Sequence, residues 1–150
     1  MTVTTHPTAV RRAGGRPWQV LMGGDVSSGQ VALGEAHLPP RTSGPGLHVH
    51  SREDEAIYVA EGVLTVRVGD DVLTAAAGTV VWLPRGEPHA FANLSDEPVR
   101  TFGVITPAGL EGMFRETEDY LSSLDGPPDL GRLAEIAGRY GVTHLGPGLV

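Results

Sequence analysis

The chain of 150 residues contains no cysteine and no lysine. Without cysteine it can build neither a disulfide framework nor a thiolate metal site nor a thiol nucleophile. Any metal must therefore rest on histidine and carboxylate. Without lysine there is no Schiff-base chemistry. All 11 basic residues are arginine, in an Ala-, Gly- and Pro-rich composition of the kind a GC-rich bacterial genome encodes. Basic charge is scarce as well: 18 acidic residues leave a formal net charge of −7. With no basic stripe to release counterions, neither nucleic acid nor an anionic membrane surface is an expected partner. No apolar run is long enough to cross a bilayer, and the opening MTVTTHPTAVRRAGG lacks the apolar centre of a signal peptide. The expectation is a cytoplasmic protein of one domain, with enough chain to bury a core. Residues 1–16, polar and Gly-ended, read as a flexible N-terminal arm.

What is present from Pro17 onward is a series of short runs rich in Val, Leu, Ile and aromatics: PWQVLMGG, GQVALGEAHL, EAIYVAEG, VLTVRVG, DVLTAAAG, TVVWLP, HAFANLS and VRTFGVIT. Gly, Pro, Asp or Asn separates them, and such spacing predicts an all-β sandwich or barrel over 17–106. In VLTVRVGDDVLTA the step at Gly69-Asp70-Asp71 reads as a hairpin turn. Alternation puts Leu64, Val66 and Val68 on one face and Val63, Thr65 and Arg67 on the other. Residues 107–150 change period. Leu110, Met113, Phe114, Tyr120, Leu121 and Leu124 recur at helical steps, and a second helix follows with Asp129 as N-cap, Leu130, Leu133, Ile136, Ala137 and Tyr140 as its stripe, and Gly141 past its end. The tail is thus expected to be two helices packed on the barrel.

Six histidines are present, and two of them, His48 and His50, are one residue apart in LHVH. On an extended strand both imidazoles leave the same face and can meet one ion. Glu55 lies past a polar turn at the head of the next strand, and His89 follows GTVVWLPRGEP in a second segment of the same kind. Three nitrogens and one oxygen suit one divalent transition metal (Fe, Ni, Co, Mn, Cu or Zn), and four protein ligands leave room for a substrate. Glu53 and Asp54 are candidate alternatives, but acids in a polar turn are more often solvated. His6, His37 and His144 lack partners at ligand spacing and are assigned surface or hydrogen-bonding roles. Ile57 and Phe91 follow ligands at period two and are the candidate substrate-pocket residues, although a core role would serve them equally. Met113 and Phe114 read as helix core.

These residues resemble the cupins. The first cupin motif, G-x5-H-x-H-x3-4-E-x6-G, is matched by His48, His50, Glu55 and Gly62, with Thr42 where the leading glycine is expected and Gly44 and Gly46 nearby. The second, G-x5-P-x-G-x2-H-x3-N, is matched by Gly78, Pro84, Gly86, His89 and Asn93, and 15 residues separate the two. The resemblance covers roughly Pro17 to Ile105. It implies a cupin-type jelly-roll β-barrel, to which the helical period adds the C-terminal two-helix tail, and a metal held in one mouth by His48, His50, Glu55 and His89. A jelly roll with exposed sheet edges is also expected to pair as a homodimer.

Function is less constrained than fold. The chain resembles the small quercetinase-like cupins, with a tail beginning near PAGLEGMFRE. That likeness implies a metal-dependent dioxygenase acting on an aromatic or enolic, flavonol-like or polyketide-like small molecule, with Glu55 as both ligand and catalytic base. A non-oxidative cyclase, isomerase or decarboxylase is the alternative, and a small-molecule-binding cupin without turnover is a third. The shortage of inward charge favours an aromatic substrate over a phosphorylated sugar.

Overall fold

The computed structural model describes residues 18–149, so the expected arm over 1–16, with His6, lies outside the described residues. The strands are β1 (Gln19–Met22), β2 (Ala32–Leu38), β3 (Thr42–Ser43), β4 (Leu47–His50), β5 (Asp54–Glu61), β6 (Val63–Val68), β7 (Asp71–Ala76), β8 (Val80–Leu83), β9 (His89–Asn93), β10 (Val99–Thr106) and β11 (Val142–Gly146). The helices are the single turn α1 (Gly24–Ser27), then α2 (Glu111–Ser122) and α3 (Leu130–Arg139). One sheet runs β1-β2-β10-β5-β8 and the other β11-β4-β9-β6-β7, with β3 paired to β9. Every pairing is antiparallel. The two sheets face each other across a core of residues including Leu38, Val59, Leu64, Val66, Leu83 and Val99. This is the all-β architecture expected from the spacing of the runs, in the jelly-roll form that the cupin resemblance implies.

Local chemistry explains the turns. Val68 pairs with Asp71, so Gly69 and Asp70 alone close the β6–β7 hairpin, and Gly69 supplies the left-handed backbone (φ 58°) that such a tight turn requires. Pro84 follows β8 directly and Gly86 takes φ 80° in the loop that delivers His89. The Gly86 N–H donates to His50 O at 2.8 Å, which ties that loop to the other histidine strand. Asn93, the last residue of the second motif, is buried; its Nδ2 donates to the carbonyls of Leu38, Pro39 and Glu97, and its Oδ1 accepts from Ser95. It is a staple between turns.

Gly34 and Gly103 sit opposite each other in the β2–β10 ladder, on its buried face. Their missing side chains leave a notch that the Trp18 indole fills: a Cβ on Gly34 would lie 1.9 Å from Trp18 Cζ2, and one on Gly103 2.4 Å from Cη2. Gly34→Ala is therefore expected to displace the indole and cost about 1–3 kcal/mol of stability, the usual range for overpacking. Urea denaturation measures the loss, and a red shift of tryptophan emission reports the displaced ring.

The tail differs from the expectation in one respect: it is two helices and a strand. Asp129 caps α3 as expected, its carboxylate accepting from the N–H groups of Gly131 and Arg132. Past Gly141 the chain extends as β11 and adds to the sheet beside β4, with Val142 opposite His50 and His144 opposite His48. Five residues with a single buried side chain carry no legible period; pairing with β4 makes them a strand. Leu130, placed in the apolar stripe of α3, is the first residue of the helix and is 77 % exposed. Leu110, Ile136 and Ala137 are buried, and Leu110, Ala137 and Val142 form a second core cluster with Ala32 and Ile105. Truncation after Thr106 is expected to expose this cluster, strip a strand from the sheet, and lower the melting temperature or cause aggregation. A soluble truncation melting like the full chain would show that the tail contributes nothing to the barrel.

Candidate metal centre

His48 and His50 leave the inner face of β4, and His89 opens β9 directly opposite His48. The register alone brings the three rings together, with centroids 4.4 Å apart for His48 and His89 and 5.0 Å for each of the other two pairs. One nitrogen from each lies within 4.8 Å of the others. All three side chains are buried, His89 down to 1 % exposure.

Two of the rings are held by backbone carbonyls two residues upstream. His48 Nδ1 lies 2.8 Å from Gly46 O and His89 Nδ1 3.0 Å from Glu87 O. A carbonyl only accepts, so Nδ1 carries the proton in both and Nε2 keeps its lone pair for the centre. His89 Nε2 and His50 Nδ1 are buried without a hydrogen-bond partner. Burial, then the neighbouring imidazoles, holds His48 down to about 4 and His50 down to about 3. Burial also lowers His89. The three are neutral near pH 7, the state in which imidazole binds metal. Converging neutral nitrogens with orphaned lone pairs fit a divalent transition ion.

Glu55 enters from β5 in the opposite sheet. Its Oε2 is 3.9 Å from His89 Nε2, too long for a hydrogen bond, and the carboxyl stands beside the three-nitrogen set without joining it. Burial alone pushes Glu55 up to about 7. With a neutral histidine opposite, the contact is not an ion pair. Asp54, an alternative ligand on sequence grounds, is bound to Arg85 at 2.6 Å on the surface. Glu53, expected in solvent, is 5 % exposed, its Oε2 lacks a partner, and desolvation raises its pKa. The inward alternation of β5 extends back one step beyond the strand, which carries Glu53 inside.

The site opens into a cavity of about 960 Å³ whose walls include Trp18, Phe91, Leu110, Met113, Phe114 and Val142, with His48, His50 and Glu55 among its polar groups. Phe91 is one of its walls. Ile57 is not; it is buried in the barrel core with Val59, Leu64 and Leu83. Met113 and Phe114 are only half-buried and form wall as well as helix core, and Phe114 packs on Trp18 at 5.4 Å. His37 is exposed and paired with Glu35, as a surface role requires, although it also reaches the cavity rim. Charge there is already matched, since Arg100 binds Glu35 at 2.7 Å and Glu61 at 3.4 Å. His144, set aside for lack of ligand spacing, lines the cavity 6.2 Å from the His48 ring. Trp18 and His144 are among the site residues that sequence reasoning missed. The only signal for Trp18 was a pair of strand glycines.

The cupin-domain family model matches residues 34–105, the span that holds all four residues and most of both sheets. Residues 34–105 thus match a cupin domain, and the fold around them is the cupin double-stranded β-helix. Over 96 residues it is 29 % identical to the tetracenomycin polyketide synthase protein TcmJ of Streptomyces glaucescens, a match covering 64 % of each chain, so just under two thirds of that relative's length is spanned. Among solved structures it resembles TT1209 from Thermus thermophilus, at 30 % identity and a TM-score of 0.50 over 53 % of this chain and 74 % of that one. A sugar phosphate isomerase of the cupin superfamily from Silicibacter pomeroyi aligns at 26 % identity and a TM-score of 0.52, over 60 % of this chain and 59 % of that one.

Proposed function

We propose that the protein is a metal-dependent cupin enzyme that moves a proton on an enolisable or phenolic, polyketide-like small molecule, closing or rearranging it without oxygen. The observation that carries this is the placement of Glu55: a buried carboxyl 3.9 Å from His89 Nε2, bordering a large cavity walled mainly by apolar side chains. A divalent ion held by His48, His50 and His89, with Glu55 as a further ligand or neighbour, would supply Lewis-acid polarisation of a substrate oxygen. The protein's own groups do the rest. Trp18, Phe91 and Phe114 offer flat apolar surface to a fused-ring body and exclude water. Glu55, buried beside the centre and facing the cavity, can take a proton from carbon or hydroxyl and return it to another position. The likeness to a polyketide synthase protein and to an isomerase supports this reading.

The dioxygenase expected from the sequence is the second reading. What favours it is that three nitrogens occupy only half the positions of a six-coordinate ion. The deciding experiment incubates Fe-, Ni-, Co-, Mn- and Zn-loaded protein with 1,3-diketones, flavonols and polyketide-like phenols, in air and without oxygen. Equal conversion under both atmospheres is expected. Conversion that requires oxygen would transfer the assignment to the dioxygenase, and saturable binding without product would leave a binding protein.

A further inference from the structure

We propose that His144 contacts the substrate, hydrogen-bonding an oxygen of the bound molecule beside the three-histidine centre, so that the C-terminal tail is part of the active site. The inference rests on the polyketide-like reading above. Its basis is the β4–β11 ladder. His144 lies directly opposite His48 in an antiparallel pair, and residues so placed leave the same face of the sheet. Val142, the previous inward position, is buried and lines the cavity; Thr143 between them faces away. The register shifts between His144 and Gly146, a bulge of the kind that re-aims a side chain next to a site.

The geometry separates His144 from the metal set. Its ring is 6.2 Å from that of His48, against 4.4–5.0 Å among the other three, and it falls outside the group whose nitrogens converge. Among the described residues neither of its nitrogens has a hydrogen-bond partner, and the ring is exposed to the cavity. A neutral imidazole can accept from a hydroxyl or donate to its oxygen. Glu55 comes from the five-stranded sheet and His144 from the edge of the other, so a molecule lying over the centre meets one from each. The tail-side wall is otherwise apolar, formed by Leu110, Met113, Phe114 and Val142. In such a pocket a single polar group fixes orientation. The ligand class is therefore a planar, oxygenated ring system with a hydroxyl on the edge that faces β11.

The test uses metal-loaded full-length protein and two probes, 1,8-dihydroxyanthraquinone and unsubstituted anthraquinone, with affinities measured by equilibrium dialysis. The parent should bind the dihydroxy compound more tightly. In His144→Ala and His144→Phe that compound should bind about tenfold more weakly, the size of one lost hydrogen bond. Binding of anthraquinone, metal per chain and melting temperature should stay at parent values, and His144→Gln should restore part of the loss. Unchanged binding of the dihydroxy probe in His144→Ala would overturn the proposal, and so would an equal loss for both probes, which marks a structural role. Loss of metal would make His144 a ligand instead and would equally overturn it. A parent that does not prefer the hydroxylated ring would remove the polyketide-like reading first, and this proposal with it.

Discussion

Replacing His48, His50 or His89 by alanine is expected to bring bound metal from near one ion per chain to a small fraction, measured by elemental analysis after dialysis against micromolar metal. Each histidine supplies one of three converging nitrogens, and the remaining two cannot hold a divalent ion against water. Glu55, 3.9 Å from His89 Nε2 and entering from the far sheet, adds an oxygen and does not restore the lost nitrogen. The loss should also register as stability. Metal at 100 times its dissociation constant stabilises the folded chain by about 2.7 kcal/mol, so the parent's melting temperature should rise on loading and fall on chelation. The alanine variants should show neither change. Full occupancy in two of the three would overturn the site.

Glu55→Gln is expected to keep most of the metal while turnover falls by roughly 10²-fold or more, since the amide preserves shape and removes the base. Turnover at the parental rate would move proton transfer to another group. The same substitution carries a signature in metal-free protein. Glu55 is raised from 4.5 to about 7 in the folded state, so its contribution to stability is fully present below pH 4.5 and is lost as pH rises through about 7. Metal-free Glu55→Gln lacks that loss and should gain stability relative to the parent between pH 5 and pH 8. His48 and His50 act in the opposite direction. Their folded values are depressed from 6.5 to about 4 and about 3, so stability present above pH 6.5 drains away as pH falls through those values. Denaturant melts from pH 4 to 8 separate the two trends.

Much of this site was legible because its chemistry is written at short range. A period of two puts His48 and His50 on one face, the Gly69-Asp70 turn announces itself, and Asp129 precedes a helical stripe it does cap. The same period could not say how deep along the barrel a residue lies, so Ile57 and Phe91 looked alike until one proved to be core and the other wall. Glu53 was misjudged for a related reason. A polar turn suggests solvent, but inward alternation does not stop where the strand begins.

The linear sequence by itself determined the all-β class of fold and named the candidate donors, because alternation and turn residues leave few other folds and the absence of cysteine leaves histidine and carboxylate for a metal. Only the tertiary structure decided how those donors meet. The His48–His89 pairing is a register between strands 41 positions apart, which no local pattern encodes. The notch that receives Trp18 exists because Gly34 and Gly103 come opposite each other, and the depth that raises Glu55 comes from the sheets around it. The tail makes the same point at its end. Residues Val142–Gly146 have no strand period of their own and become a strand against β4, which places His144 in the cavity. Propensity acts between neighbours in the chain, whereas pairing and desolvation act between neighbours in space.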